Sequence, residues 1–324
     1  MSREAWAEII EQIKAAHNIL VLSHHSPDPD AFGSSCGLTL ALQHLGKKAV
    51  CVNEDGAVPN LSFIPNADKV LDHIPNEKFD IAIVCDCGDR KRIGENILSE
   101  LPNDLPLINI DHHYSNTNFG NFNLVEGNAS SASEVVYSVA SDLLGTLLPD
   151  VAECLLTGII ADTGGFRYSS TSAFTFLVAE KLVKAGADVA KINVNLFSNK
   201  PISAVRLAAS AINNMKTYAD GKVVELLVTP EMMTDCSAVP TDCDGLVEIG
   251  RDIKGVLVSA LIRKVDDIWK VSLRSKFPQH DISKVAAYFH GGGHVQASAF
   301  RWSGELSEFR EDLINRLIQG VEDN

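Results

Sequence analysis

The chain has no cationic surplus, no apolar run of bilayer length and no paired cysteine motif, and each absence removes a class of function. Its formal net charge is −14 over 324 residues. A chain this acidic repels long polyanions and lacks the basic footprint of a duplex binder. Short anionic substrates stay compatible, because bound divalent cations reverse the local sign at a carboxylate site. No apolar stretch approaches the roughly eighteen residues of a membrane span. Residues 1–8 read as the start of an amphipathic helix carrying acids, not as a signal peptide, so a cytoplasmic location with no membrane partner is expected. The seven cysteines are odd in number; Cys36, Cys51 and Cys154 sit in apolar runs as small buried hydrophobes. Cys85 and Cys87 flank Asp86 with no second pair to complete a thiolate site. Internal repeats and low-complexity stretches are also missing.

What is present is an ordinary globular composition, 45% hydrophobic and 22% charged, long enough for two cores. A helix over 2–16 leads into a strand at 19–22, a loop at 23–32, and a helix opened by Gly33-Ser34-Ser35 that runs to about Leu45 and stops at Gly46. Strands follow at 49–52, 79–84 and 107–110, with helices at 131–144, 150–160 and 172–186. That alternation predicts a parallel α/β sheet with right-handed crossovers. The pattern loosens over 190–204, and beyond it the order changes: a strand at 223–228, a helix at 241–249, a strand pair turned at Asp266-Asp267, a helix at 282–289 and a last helix at about 305–319. The reading is an N-terminal parallel-sheet α/β domain (1–190), a linker (191–204) and a smaller α+β domain (205–324).

The chemistry concentrates where apolar runs end in acid or histidine. Ile110 precedes Asp111-His112-His113, three metal-competent side chains in three residues, where a parallel sheet presents its ligand site. Ile19-Leu20-Val21-Leu22 runs into His24-x-x-Pro27-Asp28-x-Asp30, Ile81-Ala82-Ile83-Val84 into Cys85-Asp86, and Gly158-Ile159-Ile160-Ala161 into Asp162. All four are read as C-terminal ends of parallel strands converging on one site. Histidine nitrogen with several carboxylates suits octahedral divalent ions, manganese above all, with magnesium or cobalt as alternatives. His24, Asp28, Asp30, Asp86, His112 and Asp162 make six ligands for two ions, Asp86 bridging them; such a pair clamps a phosphoryl centre and activates water. His113 is kept out of that set and assigned to the substrate as donor or acid. In the second domain, Gly291-Gly292-Gly293-His294 is read as a turn whose bare backbone approaches an anion, with His294 adding a donor. The strand end Ser272-Leu273-Arg274-Ser275 supplies an arginine for phosphate, Arg263 being a lesser candidate. Asp235, Asp242 and Asp244 are read as a solvated acidic face, and His25 as a residue outside the metal site.

Taken together, these motifs resemble the DHH phosphoesterases that carry a DHH-associated C-terminal domain, in order and over nearly the whole chain. The resemblance is greatest to the short two-domain members that degrade nanoRNA and dephosphorylate 3′-phosphoadenosine 5′-phosphate. It implies that the six ligands hold two manganese ions, that Asp86, Asp111 and His113 form the catalytic group, and that Arg274, Ser275 and Gly291 to His294 hold the distal nucleotide with His113. It further implies a cleft between the domains, with closure about 190–204 as part of the cycle. Two positions depart from the family pattern: Pro29 stands where many members have glycine, and Val295-Gln296-Ala297-Ser298-Ala299 follows His294 where small residues ending in glycine are usual.

The expected activity is hydrolysis of short oligonucleotides or a nucleoside bisphosphate. Its rivals are a phosphodiesterase for linear or cyclic dinucleotides and, from another class, a catalytically silent nucleotide-binding regulator, which predicts a broken ligand set. An inorganic pyrophosphatase is disfavoured by the Gly-Gly-Gly-His segment, and a long-strand exonuclease by net charge. The oligomeric state is left open, a homodimer being one alternative.

Overall fold

The computed structural model describes residues 3–322, so the expected helix start at Ser2 lies outside the described residues. Two compact units divide between Asn199 and Lys200. Among the described residues, no helix is long and apolar enough to cross a membrane.

The first unit runs α1 (Arg3–Ala15), β1 (Asn18–Leu22), α2 (Pro29–His44), β2 (Lys48–Val52), β3 (Ile81–Cys85), α3 (Glu95–Glu100), β4 (Leu107–Asp111), β5 (Phe122–Val125), α4 (Ala132–Leu144), α5 (Pro149–Asp162), α6 (Ala173–Lys184) and α7 (Val189–Phe197). Its five strands are all parallel, in the order β2-β1-β3-β4-β5. Continuous apolar strands such as Ile81–Cys85 are what burial on both faces requires. Ile19, Val21, Ile83, Ile108 and Ile110 pack to one side with residues of α1, α2, α4 and α5; Leu20, Leu22, Val84, Ile93 and Ile97 fill the other. The strand order reverses between β1 and β3, which opens a crevice at their carboxyl ends. That crevice positions everything that follows.

Three expectations for this unit are corrected. Asp162 ends a helix, α5, and not a strand: a buried helix turn such as Gly158–Ala161 carries the same unbroken apolar run as a buried strand. Helix α2 begins at Pro29, four residues before Gly33, because Asp28 caps it by accepting from the amides of Asp30 and Ala31 at 2.9 and 3.0 Å. Pro29 therefore occupies the first helical turn, where its fixed φ suits the helix and its missing N–H is no loss. The interval 191–204 is mostly helical. Asp188 caps α7, and the Asn193 and Asn195 amides donate to the Val189 and Lys191 carbonyls at 2.8 and 2.9 Å, so these asparagines belong to a helix and not to a loop.

In the second unit α8 (Ile202–Asn213), β6 (Lys216–Tyr218), β7 (Val223–Val228), α9 (Pro230–Asp235), α10 (Leu246–Asp252), β8 (Val258–Val265), β9 (Ile268–Ser275), α11 (Ser283–Tyr288), β10 (Gly292–His294), β11 (Ala297–Ser303) and α12 (Leu306–Glu322) form a mixed sheet with helices. The strand order is β10-β11-β9-β8-β7-β6, parallel only at β7–β8. The helix expected over 241–249 is a 3-10 turn at Pro240–Cys243 followed by α10, since Asp242 turns back to accept from the Val239 amide at 3.0 Å. Asp242 is accordingly buried, not solvated. Most of the Gly291–His294 segment, Gly292–His294, is an edge strand and not an open turn, with Gly293 opposite Ser298 and His294 opposite Ala297. Glycine is required there by contact: a Cβ on Gly293, at φ 134°, would lie 2.5 Å from the Ala297 carbonyl oxygen.

Helices α2, α4 and α5 meet at Gly158, where an added Cβ would run into the Ser133 hydroxyl and come within 2.5 Å of Asp30 Oδ1. Gly158→Ala is expected to destabilise the protein by about 1–3 kcal/mol through overpacking and to displace the Asp30 carboxylate. Thermal denaturation with and without added manganese checks this: the variant should melt lower and gain less from the metal than the parent.

Candidate metal centre

Three strand ends and two helix ends converge in the first unit. His24 lies two residues beyond β1 and is buried. Its Nδ1 faces the His25 carbonyl at 2.9 Å, which turns Nε2 toward Asp86 Oδ2 at 3.5 Å and Asp28 Oδ2 at 4.0 Å. His112 follows β4; its Nδ1 faces the Ala129 carbonyl at 3.4 Å, and its Nε2 lies 3.6 Å from both Asp86 Oδ1 and Asp162 Oδ2. Nδ1 of His112 is thus engaged by a carbonyl, and Nδ1 of His24 by a carbonyl and by Arg92 Nη2 at 3.3 Å, which leaves Nε2 of each for a cation. Asp30, on the first turn of α2, accepts from the Ala132 and Ser133 amides at 2.7 and 3.0 Å, so the start of α4 steadies its charge.

Asp86 is the meeting point. It follows β3 with φ at 54°, a left-handed conformation that costs a non-glycine residue about 1 kcal/mol or more. Its carboxylate is buried, and among the described residues Oδ1 has no hydrogen-bond partner. The donor atoms of His24, Asp28 and Asp86 lie within 4.8 Å of one another, as do those of Asp30, His112 and Asp162. An orphaned buried oxygen between two nitrogen-and-carboxylate clusters is a surrounding that divalent cations fit.

The charge states agree. Burial works against the ionised form of Asp86, yet His24, His113 and His112 hold its carboxyl well below the usual range. Burial also lowers the histidines, but Asp86 and Asp28 bring His24 to about 9, and Asp162 and Asp86 bring His112 to about 9. Burial pushes Asp162 up to about 6, with His112 opposing it, and pushes Asp30 well above its ordinary value with Asp86 and Asp162 adding to the shift. In the metal-free protein, histidine protons supply the positive charge that the carboxylates demand.

All six residues that the sequence reading takes as ligands therefore lie in these two clusters. Asp111 does something different: fully buried, it accepts from His113 Nδ1 at 2.7 Å and from Asn116 Nδ2 at 2.5 Å, so it serves the histidine beside it. His113 Nδ1 also lies 3.6 Å from Asp86 Oδ1. His25 faces the Arg92 carbonyl at 2.9 Å.

In the second unit Arg274 is paired with Glu248, its Nε at 2.8 Å from Oε1, and the Ser275 hydroxyl donates to the Phe277 carbonyl at 3.2 Å. The sequence reading picked out Arg263 but missed Lys270 and Arg301, which form a row of cations with it on the same sheet. Arg263 of β8 stands opposite Lys270 of β9, and Lys270 opposite Arg301 of β11. Like charges facing each other across strands destabilise a sheet. Burial first, and then Arg263 and Arg301, hold the Lys270 amine below its usual range. Such a row suits an anionic ligand. The signal was available only through strand register, since the three residues span 263–301.

Residues 18–159 match the DHH family, N-terminal domain. The bifunctional oligoribonuclease and PAP phosphatase NrnA of Thermus thermophilus is 32% identical over 302 residues, covering 92% of this chain and 87% of its own. The chain belongs to the DHH family. This DHH-family chain is also similar to the bifunctional oligoribonuclease and PAP phosphatase NrnA of Bacillus subtilis, at 28% identity over 320 residues and 97% of each chain. Among solved structures, an exopolyphosphatase-related protein from Bacteroides fragilis matches with a TM-score of 0.88 and 26% identity, covering 98% of this chain and 96% of that one.

A pH dependence follows from the histidines. Both have folded values near 9 against an ordinary 6.5, so the stability they give the metal-free protein is complete below pH 6.5 and lost as pH rises through about 9. A cation must expel those protons, so metal affinity should rise over the same interval, with about two protons released per chain at pH 7. Calorimetric titration of manganese in buffers of different ionisation enthalpy measures that number. Fewer than one proton would contradict the charge assignment.

Proposed function

We propose that this DHH-family protein is a phosphoesterase that uses two divalent ions, manganese foremost, to hydrolyse short oligonucleotides and a nucleoside bisphosphate of the 3′-phosphoadenosine 5′-phosphate type. The observation that carries the reading is the buried Asp86 carboxylate, which faces His24 through Oδ2 and His112 through an Oδ1 with no hydrogen-bond partner. His24, Asp28 and Asp86 would hold one ion, and Asp30, His112 and Asp162, again with Asp86, the other. When bound, such ions bring a water into the hydroxide range and take up charge on the phosphoryl oxygens. Asp111 holds the Nδ1–H of His113, so His113 meets the substrate through Nε2, which takes a proton from solvent and passes it to the leaving oxygen.

The names of the Thermus thermophilus and Bacillus subtilis relatives support this choice of substrates. Charge distribution supports a short one. At −14 the chain opposes long polyanions, whereas Arg263, Lys270 and Arg301 offer a local grip for one or two phosphates. The second unit is accordingly assigned to binding substrate phosphate, with Arg274 and Ser275 further along the strand that carries Lys270 and Gly292–His294 on the strand paired with that of Arg301.

Hydrolysis with manganese of an RNA dinucleotide-to-pentanucleotide series, 3′-phosphoadenosine 5′-phosphate and pyrophosphate tests the proposal. The first two should be cleaved, and Asp86→Asn should lower the rate by roughly a hundredfold or more. Lys270→Ala should raise KM roughly tenfold with kcat retained, because it removes a charged contact outside the reacting atoms. Cleavage of pyrophosphate alone would overturn the substrate assignment.

A further inference from the structure

Beneath the metal ligands lies a string of amides to which ion binding gives no role. Asn109 sits in the middle of β4, fully buried, where an apolar residue would avoid the desolvation of an amide. Its Nδ2 donates to the Val84 and Cys87 carbonyls at 3.3 and 3.1 Å, pinning the turn that carries Asp86. Its Oδ1 accepts from Asn116 Nδ2 at 2.8 Å. Asn116 is held in turn: its Oδ1 accepts from the Asn118 amide at 2.6 Å, which settles which end of the side chain is oxygen. The NH₂ group therefore points inward, to Asn109 and to Asp111 Oδ2 at 2.5 Å, and the other Asp111 oxygen takes His113 Nδ1 at 2.7 Å.

We propose that Asn116, backed by Asn109, is a positioning residue for His113: by occupying one oxygen of Asp111 it fixes the carboxylate so that the other holds His113 as the Nδ1–H tautomer, leaving Nε2 for the substrate. Without that donor the buried Asp111 carboxylate is free to rotate, and one of its oxygens loses a charge-assisted bond. The consequence for catalysis rests on the assignment of His113 to the substrate in the proposed function; the tautomer itself does not.

The test is ¹⁵N-detected NMR of the histidine rings in the full chain loaded with diamagnetic magnesium, comparing the parent with Asn116→Ala and Asn116→Ser, alongside metal content and steady-state kinetics. The parent should show His113 protonated at Nδ1. Asn116→Ala should mix the two tautomers and lower kcat by roughly 10–100-fold, with KM and metal content within about twofold. The serine hydroxyl, still a donor, should recover part of both effects, which a purely structural role would not distinguish from alanine. Persistence of the Nδ1–H tautomer in Asn116→Ala would overturn the proposal, and so would a loss of kcat that tracks loss of metal. A mixed tautomer with unchanged kcat would uphold the positioning and refute the assignment of His113 to the substrate.

Discussion

One buried carboxylate with one oxygen left unbonded organises this protein. An ionised Asp86 at the reversal of strand order is tolerable only with positive charge beside it. Its neighbours are arranged to that end. Carbonyls of His25 and Ala129 aim two imidazoles at it, and a left-handed backbone presents the carboxylate at the crevice. The start of α4 steadies Asp30 nearby. In the metal-free protein protons on His24 and His112 stand in for cations, so folding, protonation and ion binding are three expressions of one electrostatic balance.

Around that point the structure separates roles that share the same residue types. Asp30 and Asp111 are both fully or nearly buried, yet one meets a helix start and the other a histidine ring. Burial leaves Asp30 reluctant to ionise, whereas His113 and Asn116 outweigh burial and hold Asp111 below its ordinary range. A similar economy appears in the second unit, where an acidic chain keeps three cations in register on one sheet.

Much of the centre was legible because short loops after parallel strands keep sequence neighbours together in space. His24, Asp28 and Asp30 needed only the strand before them, and Asp111, His112 and His113 only theirs. Asp162 was singled out by its place after an apolar run, although the run is a helix; periodicity over four apolar residues cannot separate the two. What escaped depended on register or on close contact. Lys270 and Arg301 become neighbours only through antiparallel pairing, and Asn109 reads as a flaw in a strand until its partner Asn116 is in place. The glycines at 291–293 signalled a turn where, at Gly291 and Gly293, close contact between strands is the cause, and the asparagines at 193 and 195 signalled a linker where they hydrogen-bond along a helix.

The measurement closest to the central claim is electron paramagnetic resonance of the protein titrated with manganese. Two ions sharing the Asp86 carboxylate should give an exchange-coupled signal that saturates at two equivalents per chain, and Asp86→Asn should abolish the coupling. An uncoupled six-line spectrum saturating at one equivalent would contradict the account.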